Sequence, residues 1–418
     1  MNCIATIVSA NYLAYAKSLA DSIKLNHPGI DFKVLLVDRK NDETLVAANE
    51  SELDIIFASD LNIPDFYHLA FKYDLVELNT ALKPSFLKYI LKLNYQNVIY
   101  LDPDIYVFDR LNLIFESLSS DDIVLTPHTM SPIMDGHRPS DIDFLRNGIF
   151  NLGFIALSNR LNSLKFLNWW EDRCLTFGFN DLGMGTFVDQ KWIDLLPCYF
   201  DNVHILKHPG CNVAYWNLHE RNISFKNSKY EVNGFPLVFF HFSGVKAENP
   251  KSLSRHQNRH YLDGESQTSK LVIFYCGTLI KNNHNFFKKI NYTYGFFENG
   301  VNVTSFARRA SCVPEFKSEN PFSASSKIYL SLSSKKLISF DVVGIQSPNS
   351  MSFNQADVKV RIVNMLIRLL VAILGINRTE VLLRYAGILN RESNLARILF
   401  RIPLDFNHTH NKTRINKF

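Results

Sequence analysis

The chain predicts an α/β architecture: a Rossmann-like, mixed but mostly parallel sheet flanked by helices, followed by a helical C-terminal extension. Three observations carry this. The first 38 residues read strand, helix, strand, which implies parallel pairing. The run Val98-Ile99-Tyr100-Leu101 is apolar without alternation, as a strand covered on both faces must be. Beyond residue 350 the pattern changes to long apolar stretches interrupted by arginine at helical spacing.

In order, Cys3 to Ser9 reads as the first buried strand and Ala10-Asn11 as a turn. Tyr12 to Leu25 carries Leu13, Ala16, Leu19, Ala20 and Ile23 on one helical face, and His27-Pro28-Gly29 stops it. Phe32 to Val37 is the second strand, ending at Asp38. The ends of both strands, Ala10-Asn11 and Asp38, are expected to line one crevice. Ile55-Ile56 makes a short strand, Asp65 to Leu78 a helix and Lys83 to Leu93 another. Lys83, Lys88 and Lys92 lie near the next motif in sequence. One of them can face a diphosphate; a solvated helix face is the alternative.

Asn97 to Phe108, NVIYLDPDIYVF, is the centre of the chain. Its strand ends in Asp102-Pro103-Asp104. Two carboxylates two residues apart can point the same way, and Pro103 between them pre-sets a turn. The pair offers hard oxygen ligands at the carboxyl edge of a sheet, where open α/β folds place ligands. Such ligands suit Mg or Mn, which suit a diphosphate in turn. A surface turn with two solvated acids is the alternative for the motif alone.

Ile123 to Thr126 reads as a strand and Met130 to Asp141, rich in Pro, Gly and polar residues, as a loop able to cover a site. Phe150 to Leu157 is a strand with Gly153 inside it, which marks close approach by a ligand or backbone. Leu164 to Cys174 is a helix, and Asp189-Gln190 opens a helical stretch expected to stop at Pro197. Residues 208–221, HPGCNVAYWNLHER, mix polar and aromatic side chains without a period and are read as a binding loop. Leu237 to Phe242 is a strand carrying His241, followed by Gly244, which permits close backbone approach, and Lys246, a point charge for phosphate.

Composition sets bounds. With 418 residues, 46% hydrophobic, the chain is long enough for two or more domains. Its six cysteines have no paired spacing, against a zinc site or disulfide framework and in keeping with a reducing compartment. The start, MNCIATIVSANYL, has neither a basic region nor a long apolar core, so no signal peptide is read. The sequons at Asn222, Asn291 and Asn302 are then incidental. Net charge is +5. From residue 350 on there are 11 Lys/Arg against 4 Asp/Glu, and before it 34 against 36, so the basic character belongs to the tail. A slightly acidic main body argues against nucleic-acid binding, which needs basic residues interleaved with aromatics on a groove.

These pieces as an ordered set resemble the family 8-like glycosyltransferases of the GT-A fold, especially those encoded with bacterial surface polysaccharides. The motifs are TIVSANY, VIYLDPDIYVF, FNLGFIAL, Asp189-Gln190 and His241-Phe-Ser-Gly244, and they cover roughly residues 1–260. The resemblance implies a GT-A catalytic domain there, with retaining, metal-dependent transfer of a hexose from a nucleoside-diphosphate sugar, usually UDP-linked. It implies that Asp102, Asp104 and His241 hold Mn or Mg, and that Gly244 and Lys246 contact phosphate. It places Ala10, Asn11 and Asp38 near the nucleotide, and Asn151, Asp189 and Gln190 at the sugar and reacting carbon; Lys83 is assigned to the donor from its place beside the acid motif alone. The family's closing motif is usually His-x-x-Gly-x-x-Lys-Pro-Trp; this chain has Gly244-Val-Lys246-Ala, one residue shorter and without Pro-Trp.

Past residue 260 the resemblance fades. Residues 261–350 hold strand-like runs at Lys270 to Tyr275, Lys327 to Leu332 and Leu337 to Val343, read either as a small accessory region or as padding on the catalytic domain. Residues 351–418 are a basic amphipathic helical tail. Val358 to Ile376 carries Arg361, Asn364 and Arg368 at spacings of three and four, and a second segment follows with Arg384, Arg391, Arg397 and Arg401. Charge interrupts the apolar run too often for a bilayer span. Such helices either lie on an anionic membrane or dock on the protein. The expected partners are a nucleotide sugar and a saccharide or lipid-linked acceptor, in lipopolysaccharide or other surface-polysaccharide synthesis, at a cytoplasmic location, peripheral on the inner membrane face if the tail makes that contact. Two other functions fit an α/β sheet with these acids. A sugar nucleotidyltransferase needs a Gly-rich N-terminal loop, and Thr6 to Lys17 contains no glycine. A non-catalytic sugar- or nucleotide-binding protein would bind donor without turnover.

Overall fold

The computed structural model describes residues 1–338, 358–389 and 392–402. The chain forms two compact units, one of Met1–Leu69 with Leu75–Tyr294, the other of Ala70–Asp74 with Gly295–Phe418.

The first unit is built on a seven-stranded sheet. Its strands are β1 (Asn2–Val8), β2 (Asp31–Leu36), β3 (Ile55–Phe57), β4 (Asn97–Leu101), β6 (Ile123–Pro127), β7 (Phe150–Ser158) and the strand Val203–Ile205; β5 (Ile105–Val107) lies outside it. The order is Val203–Ile205, β6, β7, β4, β1, β2, β3. β1 pairs parallel with both β2 and β4, β2 with β3, and β6 with Val203–Ile205. β7 alone runs antiparallel, between β4 and β6. The α/β sheet expected from the sequence is therefore present, mixed but mostly parallel. β4 is buried from Val98 through Leu101, which is why its apolar run does not alternate.

Side chains one residue apart along these strands face opposite layers. Ile4, Ile99, Leu101, Val124, Phe154 and Ala156 share one core with Leu19 and Ile23 of helix Leu13–Asn26. Near the sheet's other edge, Val34, Leu36 and Phe57 pack with Leu13, Ala14 and Ala16 of the same helix and with Ala47 of helix Asp42–Ser51. Helix Lys83–Lys92 packs on helix Leu161–Phe177 and on β4.

Local differences from the sequence reading have physical causes. The expected helix over 65–78 is two short ones, Phe66–Lys72 and Leu75–Ala81. Pro197 does not stop a helix; it sits in the first turn of Leu196–Tyr199, where its missing N–H costs nothing. Lys270 to Tyr275 is not a strand but part of helix Gln267–Lys281. Leu271, Val272, Tyr275, Cys276 and Leu279 face one core at helical spacing, and the Ser266 side chain caps the start by accepting from the Ser269 amide. A six-residue window is too short to show that period. Lys327 to Leu332 likewise lies in helix Lys327–Ser334, capped by Ser326, with Ile328 and Leu332 buried one turn apart. The third strand-like run, Leu337 to Val343, extends outside the described residues, as do Arg391 and residues 403–418.

In the second unit, helix Ser305–Ala310 packs against Glu392–Leu399. The buried Arg308 donates through Nη1 to the carbonyls of Ala70 (3.1 Å), Phe71 (3.0 Å) and Tyr73 (2.7 Å). Phe71 packs edge-on against Phe297 and Phe322. Val358–Leu374 and Ile376–Leu389 are helices that pair with each other across Gly375. Among the described residues, no helix is long and apolar enough to cross a membrane.

Candidate functional site

β4 ends at Leu101, and the next four residues make a tight turn: the Ile105 amide donates to the Asp102 carbonyl (3.0 Å), with Pro103 at the position its fixed φ favours. The Asp102 amide donates to the Gly153 carbonyl (2.8 Å). Beyond the turn, β5 pairs antiparallel with strand Phe239–His241, setting His241 opposite Ile105. The Phe242 amide then donates to the Asp104 carbonyl (2.8 Å). This pairing brings a histidine from late in the chain onto the acid pair.

The His241 Nε2 atom lies 2.9 Å from Asp104 Oδ1 and 3.8 Å from Asp102 Oδ2. One ligand atom from each of Asp102, Asp104 and His241 falls within 4.8 Å of the others. The imidazole is buried, while the two carboxylates keep partial access to solvent. Burial pulls the His241 pKa down, but the charge of Asp104 and its hydrogen bond outweigh that and hold it above the ordinary value. Its Nδ1 is buried with no hydrogen-bond partner among the described residues. Trp216 meets the ring edge-on at 5.1 Å.

Gly153 explains how the ring fits. Its φ is not in the left-handed region, so its backbone does not require glycine. A Cβ there would lie 2.3 Å from His241 Cε1, 2.7 Å from His241 Nδ1 and 2.8 Å from Asn151 Oδ1. The sequence reading expected a ligand or backbone to approach this glycine; a side chain, the His241 ring, does so instead.

Because β7 runs antiparallel to β4, its first residues lie beside the end of β4, and Leu101 pairs with Phe154. Asn151 sits there in a buried polar network. Its Oδ1 accepts from Asn212 Nδ2 (3.0 Å) and the Gly153 amide (3.2 Å), and its Nδ2 lies 3.3 Å from His128 Nε2. Asn212 also donates to Thr126 Oγ1 (2.8 Å). Asn217 braces the loop by donating to the carbonyls of His128 and Asn212 (both 3.0 Å). Gln190 accepts from the Leu152 amide (3.1 Å) and donates to the Asn147 carbonyl (3.0 Å), so both ends of its amide are held.

Lys83 is buried rather than on a solvated helix face. Its Nζ donates to the Leu152 carbonyl (2.7 Å), pairs with Asp189 Oδ2 (2.7 Å) and lies 3.9 Å from Asp102 Oδ1. It also sits 4.3 Å from the centre of the Tyr100 ring. Tyr100 in turn donates its hydroxyl to Asp102 Oδ1 (2.8 Å). Burial raises the Asp189 pKa, opposed by the Lys83 cation. Lys88 pairs with Glu171, and Lys92 is exposed.

The strand ends Ala10 and Asp38 do meet. Asp38 Oδ2 accepts from the Ala10 amide (2.7 Å), and Oδ1 accepts from the Thr293 amide (2.8 Å) and hydroxyl (2.9 Å). Asp38 thus ties the two strand ends to residue 293. The Asn11 side chain accepts from the Ser9 hydroxyl (2.5 Å). Gly244 has φ +80°, and a Cβ there would lie 2.5 Å from Ser254 Oγ, so the chain's own Ser254 makes the close approach. Lys246 is exposed.

Three residues at the site escaped the individual reading. Tyr100 looks like any core strand residue, and His128 like a strand-end polar group. Asn212 lies in the 208–221 stretch, whose dense polar and aromatic composition was the available signal.

No family model matches the chain. It is 27% identical over 246 residues to the uncharacterised protein YfnF of Bacillus subtilis (strain 168), which spans 58% of this chain and 80% of that protein. It is 25% identical over 253 residues to YfnD of the same organism, spanning 60% and 79%. Among solved structures it is similar to the galactosyltransferase LgtC, solved with donor and acceptor sugar analogues, at 15% identity and a TM-score of 0.40, over 66% of this chain and 96% of that one. The glycosyltransferase GlyE of Streptococcus pneumoniae TIGR4 matches at 14% identity and a TM-score of 0.39, over 71% and 66%.

Proposed function

We propose that the protein is a metal-dependent glycosyltransferase. In this reading it moves a hexose from a nucleoside-diphosphate sugar, UDP-linked, to a saccharide or lipid-linked acceptor of a surface polysaccharide, with retention of configuration. The observation that carries the reading is the convergence of Asp102, Asp104 and His241 at the carboxyl end of a buried parallel strand. Two carboxylates and an imidazole, one ligand atom from each, are a donor set that fits Mn or Mg. When bound, such an ion acts as a Lewis acid on the departing diphosphate.

The chain's own residues do the rest by positioning. Asn151, with its carbonyl oxygen engaged and its Nδ2 beside His128 Nε2, has one amide N–H left for the sugar. Asp189 is held by Lys83, and Gln190 by two backbone groups, so each offers a fixed edge to the sugar ring. Ala10, Asn11 and Asp38 shape the nucleotide end of the crevice; Asp38 does so by fixing the two strand ends. Gly244 and Lys246 close the phosphate end. The loop read over 130–141, whose last residue opens helix Asp141–Asn147, excludes water that would otherwise hydrolyse the donor. In this assignment residues 1–260 supply the catalysis, 261–350 an accessory region and 351–418 a basic tail, and the protein is cytoplasmic, peripheral on the inner membrane face if the tail makes that contact.

The test is thermal unfolding against a panel of nucleoside-diphosphate sugars, with Mn and with chelator. A donor at about 100 times its dissociation constant adds about 2.7 kcal/mol. Stabilisation by one donor only with metal, lost in Asp104→Asn, supports the reading. No response to any donor sinks it. Donor binding with no transfer to any acceptor would instead identify a binding protein.

A further inference from the structure

We propose that helices Val358–Leu374 and Ile376–Leu389 form a docking surface for an anionic lipid bilayer. This deepens the lipid-linked acceptor of the reading above, but it stands on exposure and charge and is tested without turnover. Ile362, Leu366, Leu369 and Ile373 recur at helical spacing along the first helix, and Val381 and Leu382 extend the apolar surface on the second. All six are between 46% and 69% exposed. Large apolar side chains left in water at this density mark an interaction site.

The polar residues of the first helix select the partner. Arg361, Asn364 and Arg368 sit at spacings of three and four, so they form one narrow stripe beside the broad apolar face. Arg378 and Arg384 add charge on the second helix. The one acid in 358–389, Glu380, accepts from Arg384 Nη2 at 2.6 Å. A surface of this sign repels a second copy of itself. It complements phospholipid headgroups of negative charge, with arginines at headgroup level and the apolar face below them. Neither helix can span the bilayer, so the contact is interfacial.

The experiment is co-sedimentation of the full chain with vesicles of phosphatidylcholine, with and without added phosphatidylglycerol, at low and high salt. Binding should require phosphatidylglycerol and weaken with salt. Arg361→Glu/Arg368→Glu should lower the apparent affinity about tenfold or more, and Leu366→Asp/Leu369→Asp should lower it at both salt concentrations. Far-UV circular dichroism checks that each variant stays folded. Equal binding to both vesicle types, or none to either, overturns the proposal. So does a concentration-dependent dimer in light scattering that Leu366→Asp/Leu369→Asp dissolves while vesicles have no effect. Failure here leaves the donor-binding test untouched, and failure there leaves this one standing.

Discussion

Gly153→Ala is a one-methyl change with a specific expected consequence. The new Cβ would lie 2.3 Å from His241 Cε1 and 2.7 Å from Nδ1, well inside contact distance. The ring has little room to retreat: it is buried, with Trp216 packed edge-on against it and the strand Phe239–His241 fixed by its pairing to β5. Forcing a methyl into such a site costs about 1–3 kcal/mol. Strain spread over β7 and the His241 ring also moves one proposed ligand relative to Asp102 and Asp104. Shifts of this kind at residues that orient ligands lower metal affinity about 10–100-fold. The assay is Mn binding by calorimetry alongside the urea midpoint, in wild type, Gly153→Ala, His241→Ala and the double variant. With the ring removed the added methyl has space, apart from Asn151 Oδ1 at 2.8 Å. The methyl should therefore cost less stability in the His241→Ala background than in wild type. An unchanged Mn affinity and midpoint in Gly153→Ala would refute the steric argument. Equal costs in the two backgrounds would show that His241 is not what the methyl meets.

Further outcomes follow from the same contacts. Lys83→Met leaves Asp189 buried without its cation and should lower stability by about 3–5 kcal/mol; Lys83→Met/Asp189→Leu should recover most of it, read from urea midpoints. Asp38→Ala strands the buried amide of Ala10 and that of Thr293, and should cost about 3 kcal/mol with faster hydrogen exchange at both. Burial pushes the His128 imidazole down to about 4. Between that value and its unfolded value of about 6.5 the unfolded chain binds more protons, so stability falls as pH drops through this window, by about 3 kcal/mol in full. His128→Gln should show a smaller loss of urea midpoint between pH 7 and pH 4.5; an equal loss would place the acid sensitivity elsewhere. Gln190→Ala should lower turnover once a donor is identified, and unchanged turnover would remove Gln190 from the sugar-facing group.

What the sequence determined by itself was what short-range chemistry fixes. The unalternating run before Asp102 implied a strand covered on both faces. Pro103 between two acids implied a turn at its end. Gly153 inside a strand implied close approach by a ligand or backbone; the approach is real, but a side chain, His241, makes it. Helical spacing gave the arginine stripe of Val358–Leu374. The helices at Gln267–Lys281 and Lys327–Ser334 were misread because apolar runs of six residues satisfy either period; which one applies depends on the surface they pack against. Tertiary structure alone decided the partners. The family resemblance, not any spacing, put His241 with the acid pair; physically it arrives there because Phe239–His241 pairs with β5, by hydrogen bonds between segments remote in sequence. Lys83 read as a cation for a diphosphate or for a solvated helix face, and the fold buried it instead against Asp189 and the Leu152 carbonyl. A side chain's type is local, but its charge partner depends on which strand end arrives next to it, and no pattern along the chain records that.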